Sequence, residues 1–282
     1  MDRFGMAPPL RHARLKLAQG QLFWHEQGIR GPAIVLLHGA WHTSQQWVPV
    51  MELLSQDYHC FAPDLLGFGE SDRPNVHYSI ALQVECLAAY LEALRLREVY
   101  LVGYSLGGWV AASYALAHLE QVQGLVLISP EGVEVKGQDP WRGARWLLRQ
   151  PPLLVWLLRV LRPLLRLWGQ AAILDRLWSL RDRYQQFPTA CQLLFQRRRA
   201  EIQAEQLQDR LPWLKLPVLL LQEMPAMPAE EARIQVYART LPQVIVKQLP
   251  AGPDRHCLED APDRVAAQIH QFVAQRHPSA SA

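Results

Sequence analysis

Gly103-Tyr104-Ser105-Leu106-Gly107 sets one serine between two glycines at the spacing G-x-S-x-G. A serine hydroxyl is a weak nucleophile at neutral pH. It becomes useful where a base can take its proton and N–H donors can stabilise the oxyanion that its attack creates. The residues on either side suit that use. Val99-Tyr100-Leu101-Val102 is a short apolar and β-branched run and reads as a buried strand. Gly108 to Ala117 is rich in alanine and reads as a helix. A serine on the turn between them takes a cramped backbone conformation, and only small residues fit two positions to either side. The turn lifts the hydroxyl to the sheet edge, beside the first amides of the new helix, where an anion is favoured.

The elements that must hold this turn are legible along the chain. Strand candidates are Ala33–Leu37, Tyr58–Ala62, Val99–Val102, Leu125–Ile128, Val218–Leu221 and Val244–Leu249. Each is a nearly continuous apolar run, as parallel strands are when helices cover both faces of a sheet. Helix candidates between them are Gln45–Leu54, Ile80–Leu94, Glu230–Leu241 and Pro262–Gln275. Arg14 to Gln27 reads as a hairpin turning at Gln19-Gly20, after a loose arm over residues 1–12. The alternation predicts an α/β fold with a mostly parallel, doubly wound sheet.

Two further stretches carry a resemblance. The run Ala33–Leu37 leads directly into His38-Gly39-Ala40-Trp41, and Phe61-Ala62-Pro63-Asp64-Leu65-Leu66-Gly67-Phe68-Gly69-Glu70-Ser71-Asp72 follows the next strand. With the serine turn downstream, this order of motifs resembles the α/β-hydrolase family over roughly residues 14–130 and 213–277. The resemblance implies an α/β-hydrolase core over residues 1–133 and 213–282, with a helical cap inserted over 134–212. It also implies the chain order nucleophile, acid, histidine. The oxyanion amides would come from Leu106 and from Ala40 or Trp41, while His38 and Asp64 would be structural.

The family's acid usually follows the strand here at Val218–Leu221, in a pattern like Gly-x-x-Asp. This chain reads Leu221-Gln222-Glu223-Met224-Pro225-Ala226-Met227-Pro228, with no aspartate. Glu223 is one candidate, three residues early. Some members take the acid from the end of the strand before the cap, which here is Ser129-Pro130-Glu131. Glu131 is therefore the second candidate, and a solvated loop carboxylate is its alternative reading. The family's histidine sits in a pattern like Gly-His-x-x-x-x-Glu. Counting back from Glu259, that position holds Asp254, and His256 two residues later is the candidate base. His270 and His277 fall on the terminal helix and are expected to face solvent.

The resemblance thus implies a serine hydrolase that cleaves an ester or thioester of an apolar group through an acyl-enzyme at Ser105. Serine at the turn argues against dehalogenase and epoxide hydrolase chemistry, which depends on aspartate there. A second reading stays open at this point. With both acid and base displaced, the chain could be a catalytically silent member that binds a lipophilic ligand, a membrane surface or a protein.

Composition narrows the partners. The 282 residues are 50% hydrophobic, enough for one large core or a core plus lid. A net charge of +3 is too small to imply nucleic acid. Cys60, Cys86, Cys191 and Cys257 have neither metal nor redox spacing and read as reduced thiols of a cytoplasmic protein. No dinucleotide motif or metal cluster is present, so neither cofactor nor metal is expected. The N-terminal residues lack an apolar signal core, and no run approaches the ~20 apolar residues of a spanning helix. The segment from Trp141 to Leu174 contains no acidic residue but carries Arg142, Arg145, Arg149, Arg159, Arg162 and Arg166 with Trp141, Trp146, Trp156 and Trp168. One reading is a lid with leucines inward and arginines in water. The other is a basic, tryptophan-bearing surface in peripheral contact with a membrane.

Overall fold

The computed structural model describes residues 8–135, 137, 141–149, 171–250 and 257–277. The chain divides into two compact units, residues 1–136 with 205–282, and residues 137–204.

The larger unit is an eight-stranded sheet in the order β1-β2-β4-β3-β5-β6-β7-β8. Its first three members along the edge, β1 (Arg11–Lys16), β2 (Gln21–Gln27) and β4 (His59–Pro63), pair antiparallel. Then β3 (Ala33–Leu37), β5 (Val99–Tyr104), β6 (Val122–Ile128), β7 (Val218–Met224) and β8 (Val244–Pro250) continue parallel from β4. The apolar runs of β3, β5, β6 and β7 are buried throughout their central residues, which explains why they lack a polar–apolar alternation.

One sheet face carries Ile34 and Leu36, Tyr100 and Val102, Val126 and Ile128, and Leu219 and Leu221. These pack with Trp47, Met51 and Leu54, and with Val265, Ile269 and Phe272 of the C-terminal helix. The first of these helices is split. Ser44–Trp47 is a tight 3₁₀ turn, and α1 (Val48–Leu54) follows with Pro49 in its first turn, where a missing N–H costs nothing. Helices α2 (Ile80–Ala93) and α3 (Leu106–Ala117) follow β4 and β5. Ser79 caps α2 by accepting from the Leu82 amide at 3.0 Å.

Three boundaries differ from expectation. β1 begins at Arg11, where Arg11 bonds Glu26 at 3.3 Å, so the expected N-terminal arm is shorter than residues 1–12. β7 runs to Met224, because Gln222 and Glu223 pair with Gln248 and Leu249 of β8, so Glu223 lies on a strand and not in the loop after it. Residues 205–212 belong to the larger unit, where the Leu207 amide donates to Gly132 O at 2.8 Å and the Trp109 indole to Glu205 O at 3.1 Å.

The smaller unit is helical in its described residues: α4 (Arg142–Arg149), α5 (Ala171–Gln186), α6 (Pro188–Cys191) and α7 (Arg199–Ala204), with a wide π turn over Gln192–Gln196. Buried Leu193, Leu194 and Phe195 form its centre, and Trp141 stacks on Phe195 at 5.5 Å. Arg181 is buried and donates to Leu147 O at 2.8 Å, which satisfies a carbonyl near the end of α4. The stretch with Arg159, Arg162, Arg166, Trp156 and Trp168 lies outside the described residues. After the smaller unit come α8 (Pro228–Thr240), α9 (Cys257–Asp260) and α10 (Pro262–Ala274).

Candidate active site

Ser105 stands between β5 and α3 with φ 51° and ψ −111°, a backbone conformation that L-residues rarely adopt. Hydrogen bonds from both sides fix it there. Its amide donates to Ile128 O at 2.9 Å, and its carbonyl accepts from Gly108 at 3.0 Å and from Glu131 at 3.1 Å. The turn is tight enough that a β-carbon on Gly107 would lie 2.3 Å from Leu37 O. Leu106 is the first residue of α3, and helix geometry leaves its N–H with no intrahelical acceptor.

The peptide between Gly39 and Ala40 is oriented by a histidine. The Leu65 amide donates to His38 Nε2 at 3.0 Å, so the proton sits on Nδ1, which donates to Gly39 O at 2.8 Å. The His42 amide donates to the same oxygen at 3.3 Å. Because the peptide is planar and trans, Ala40 N–H points opposite to Gly39 O, away from the His38 ring. A β-carbon on Gly39 would lie 3.6 Å from Ser105 Cβ, so this loop lies against the serine. Burial, opposed by the charge of Asp64, pushes the His38 pKa below its ordinary 6.5. His38 is thus a neutral structural group, as expected. Asp64 is structural too. Its two oxygens accept from the Ser44 amide at 2.6 Å and the Glu70 amide at 2.8 Å, which ties the loop after β3 to the loop after β4.

The two acid candidates are differently engaged. Glu131 is buried and not solvated, which corrects its alternative reading: Arg233 of α8 lies 3.2 Å from its carboxylate. The Tyr237 hydroxyl donates to the Glu131 carbonyl. Burial raises the Glu131 pKa, and Arg233 offsets this only in part. Glu223 is 8% exposed, and its carboxylate accepts from two directions. The Cys257 amide donates to Oε1 at 2.9 Å and the Tyr104 hydroxyl to Oε2 at 3.1 Å. Burial, and next the Glu223 charge, push the Tyr104 phenol well up, so it stays protonated and remains a donor. The same two causes, in the same order, raise the Cys257 thiol.

His256 and Asp254 lie outside the described residues. The amide that Glu223 holds is that of Cys257, the residue after His256 in sequence. Nothing local in the sequence marks Tyr104 or Cys257 as a neighbour of an acid candidate. Once the strand order is known, the signal is parity. Tyr104 follows Tyr100 and Val102, and Glu223 follows Leu219 and Leu221, on the same sheet face. Of the terminal histidines, His270 is exposed on the terminal helix, and it also makes a side-chain contact. Its Nδ1 lies 3.0 Å from the Tyr58 hydroxyl.

Among the described residues, no group of His, Cys, Asp and Glu could hold a metal ion, and no helix is long and apolar enough to cross a membrane.

Comparison with known proteins bears on the fold and the family. The chain is 37% identical over 134 residues to 2-hydroxy-6-oxo-2,4-heptadienoate hydrolase of Pseudomonas putida, covering 45% of this chain and 47% of that one. It is 30% identical over 118 residues to a haloalkane dehalogenase of Mesorhizobium japonicum, covering 42% and 38%. The chain therefore spans less than half the length of these curated relatives. Among solved structures, haloalkane dehalogenase DbeA of Bradyrhizobium elkani superposes with a TM-score of 0.73 at 21% identity over 96% of this chain and 100% of that one. A membrane phospholipase A superposes with a TM-score of 0.70 at 23% identity, over 95% and 87%. These two likenesses show the shared fold. A model of the alpha/beta hydrolase family matches residues 34–268, from the first parallel strand into the last helix, and the chain belongs to that family.

Proposed function

We propose that this chain is a serine hydrolase that cleaves an ester or thioester with an apolar acyl or alcohol group. The observation that carries the reading is the strained Ser105, held at φ 51° at the N-terminus of α3 beside the His38-Gly39-Ala40 loop. Strain of this kind persists where the surroundings over-determine it, and it favours an exposed nucleophile next to amide donors.

Ser105 Oγ attacks the substrate carbonyl carbon while His256 takes the hydroxyl proton. The oxyanion is held by the N–H groups of Leu106 and of Ala40 or Trp41. Collapse of the tetrahedral intermediate breaks the bond to the alcohol or thiol, which leaves with the proton from His256. Water then attacks the acyl-enzyme with His256 again as base, releasing the acid and restoring Ser105. Glu223 serves as the orienting acid. Its support is the bond to the Cys257 amide, one residue beyond His256, and the commitment of Glu131 to Arg233. The names of the relatives support the broader class, hydrolase, and not the ester bond itself. The serine nucleophile sets the chain apart from chemistry that requires aspartate at the same turn.

The test is steady-state hydrolysis of p-nitrophenyl esters of graded chain length. Activity that rises from acetate to longer acyl chains and vanishes in Ser105→Ala is expected. Activity that survives in Ser105→Ala would remove the serine from the mechanism. Absence of turnover across esters and thioesters would favour a silent binding protein.

A further inference from the structure

The chain's charge is divided unequally between its two units. Residues 137–204 hold twelve arginines, no lysine and four acidic residues, a net charge of +8. The whole chain has 29 basic and 26 acidic residues for a net +3, so 17 basic and 22 acidic residues remain elsewhere, a net −5. Solvation alone does not call for arginine to the exclusion of lysine. Guanidinium is weakly hydrated and binds phosphate oxygens in a bidentate fork, which ammonium cannot do.

Helix α4 shows how part of this charge is displayed. Its sequence is Arg-Gly-Ala-Arg-Trp-Leu-Leu-Arg over Arg142–Arg149. Ala144 and Leu147 are buried, whereas Arg142 is exposed and Arg145 half-buried. Trp146 follows Arg142 by four residues and lies on the same helix side, with 60% of its surface exposed. A large indole kept in water beside arginines is costly for a face meant only to meet solvent. It matches an interfacial anchor, where tryptophan sits at headgroup depth and arginine meets lipid phosphate. Leu180 and Arg183 of α5 and Arg198 are exposed as well, alongside Asp175 and Asp182.

We infer that the 137–204 unit docks on anionic phospholipid bilayers, with α4 as a contact element that places Trp146 at the lipid–water boundary. The inference does not use the Ser105 chemistry and stands apart from it.

The test is co-sedimentation of the full chain with phosphatidylcholine vesicles, alone or mixed with phosphatidylglycerol. Binding to the mixed vesicles only is expected, and it should be lost as salt rises, because surface attraction is screened over ~10 Å at 0.1 M salt. Replacing Arg142, Arg183 and Arg198 together by Gln should lower partitioning by about 10- to 100-fold. Trp146→Ala should weaken it several-fold. All four side chains lie at the surface, and an unchanged circular dichroism melt confirms the fold of each variant. Equal binding to neutral and anionic vesicles, absence of binding at low salt, or an unaltered partition in the arginine variant would each overturn the inference. So would equally tight retention of duplex DNA, which would make the unit a general polyanion surface.

Discussion

Tyr104 lies one residue before Ser105 in sequence and two strands from Glu223 in the sheet, yet its hydroxyl meets the Glu223 carboxylate at 3.1 Å. They meet because β5 and β7 present these positions to the same face, with β6 between them. A hydrogen bond to a charged acceptor is worth about 1.5–3 kcal/mol. Tyr104→Phe should therefore destabilise the fold by about that amount. If Glu223 orients the base, the same variant should also lower kcat roughly tenfold with KM unchanged, a split that packing alone would not produce. Glu223→Gln should cost on the order of 10⁴-fold in kcat, the scale of amidating an orienting carboxylate. Glu131→Gln should chiefly lower stability by breaking a buried ion pair with Arg233. The reverse pattern, with Glu131→Gln the slow enzyme, would move the acid to the end of β6. Ser105 was legible in the sequence because glycines at fixed offsets are a local signal. The Tyr104–Glu223 and Glu131–Arg233 contacts were not, since they join residues 119 and 102 positions apart and depend on strand order and side-chain parity.

At the scale of elements, the parallel strands were legible because burial on both faces demands unbroken apolar runs. Their polar ends were not. Gln222 and Glu223 look like loop residues and are held in the ladder only by β8. The turn into α3 carries measurable strain. Ser105→Gly removes the penalty of φ 51°, of order 1–3 kcal/mol, against about 0.5–1 kcal/mol of extra glycine entropy in the unfolded chain. A net gain of about 1 kcal/mol in unfolding free energy, with loss of activity, is expected in urea melts. A loss of stability would show an unstrained elbow. The loop after β3 makes a pH prediction. Burial lowers the folded pKa of His38 below 6.5, so the unfolded chain binds a proton that the folded chain refuses. Stability contributed by neutral His38 is present above pH 6.5 and declines as pH falls from 6.5 toward the lowered folded value. Imidazole nitrogen shifts by NMR should report neutral His38 at pH 6.5, where a free imidazole is half protonated. A ring already protonated there would contradict the donor assignment that aims Ala40 N–H.

For the whole molecule, the net +8 of residues 137–204 and the net −5 of the remainder join two units of opposite charge in one chain. If that unit delivers the enzyme to lipid, salt should separate two kinds of substrate. Hydrolysis of an ester carried in phosphatidylglycerol vesicles should fall as salt rises, while hydrolysis of a monomeric soluble ester should hold steady. A parallel fall in both rates would locate the salt effect in the core and not at the surface. The central claim, that Ser105 is an activated nucleophile, is tested most directly by a fluorophosphonate probe, whose fluoride is displaced from phosphorus by the hydroxyl of such a serine. Intact-mass analysis should show one phosphonyl adduct on the native protein, mapped to Ser105 by peptide sequencing, and no adduct on Ser105→Ala. A native protein that stays unlabelled, or a Ser105→Ala variant labelled as fully as the native one, would contradict the account.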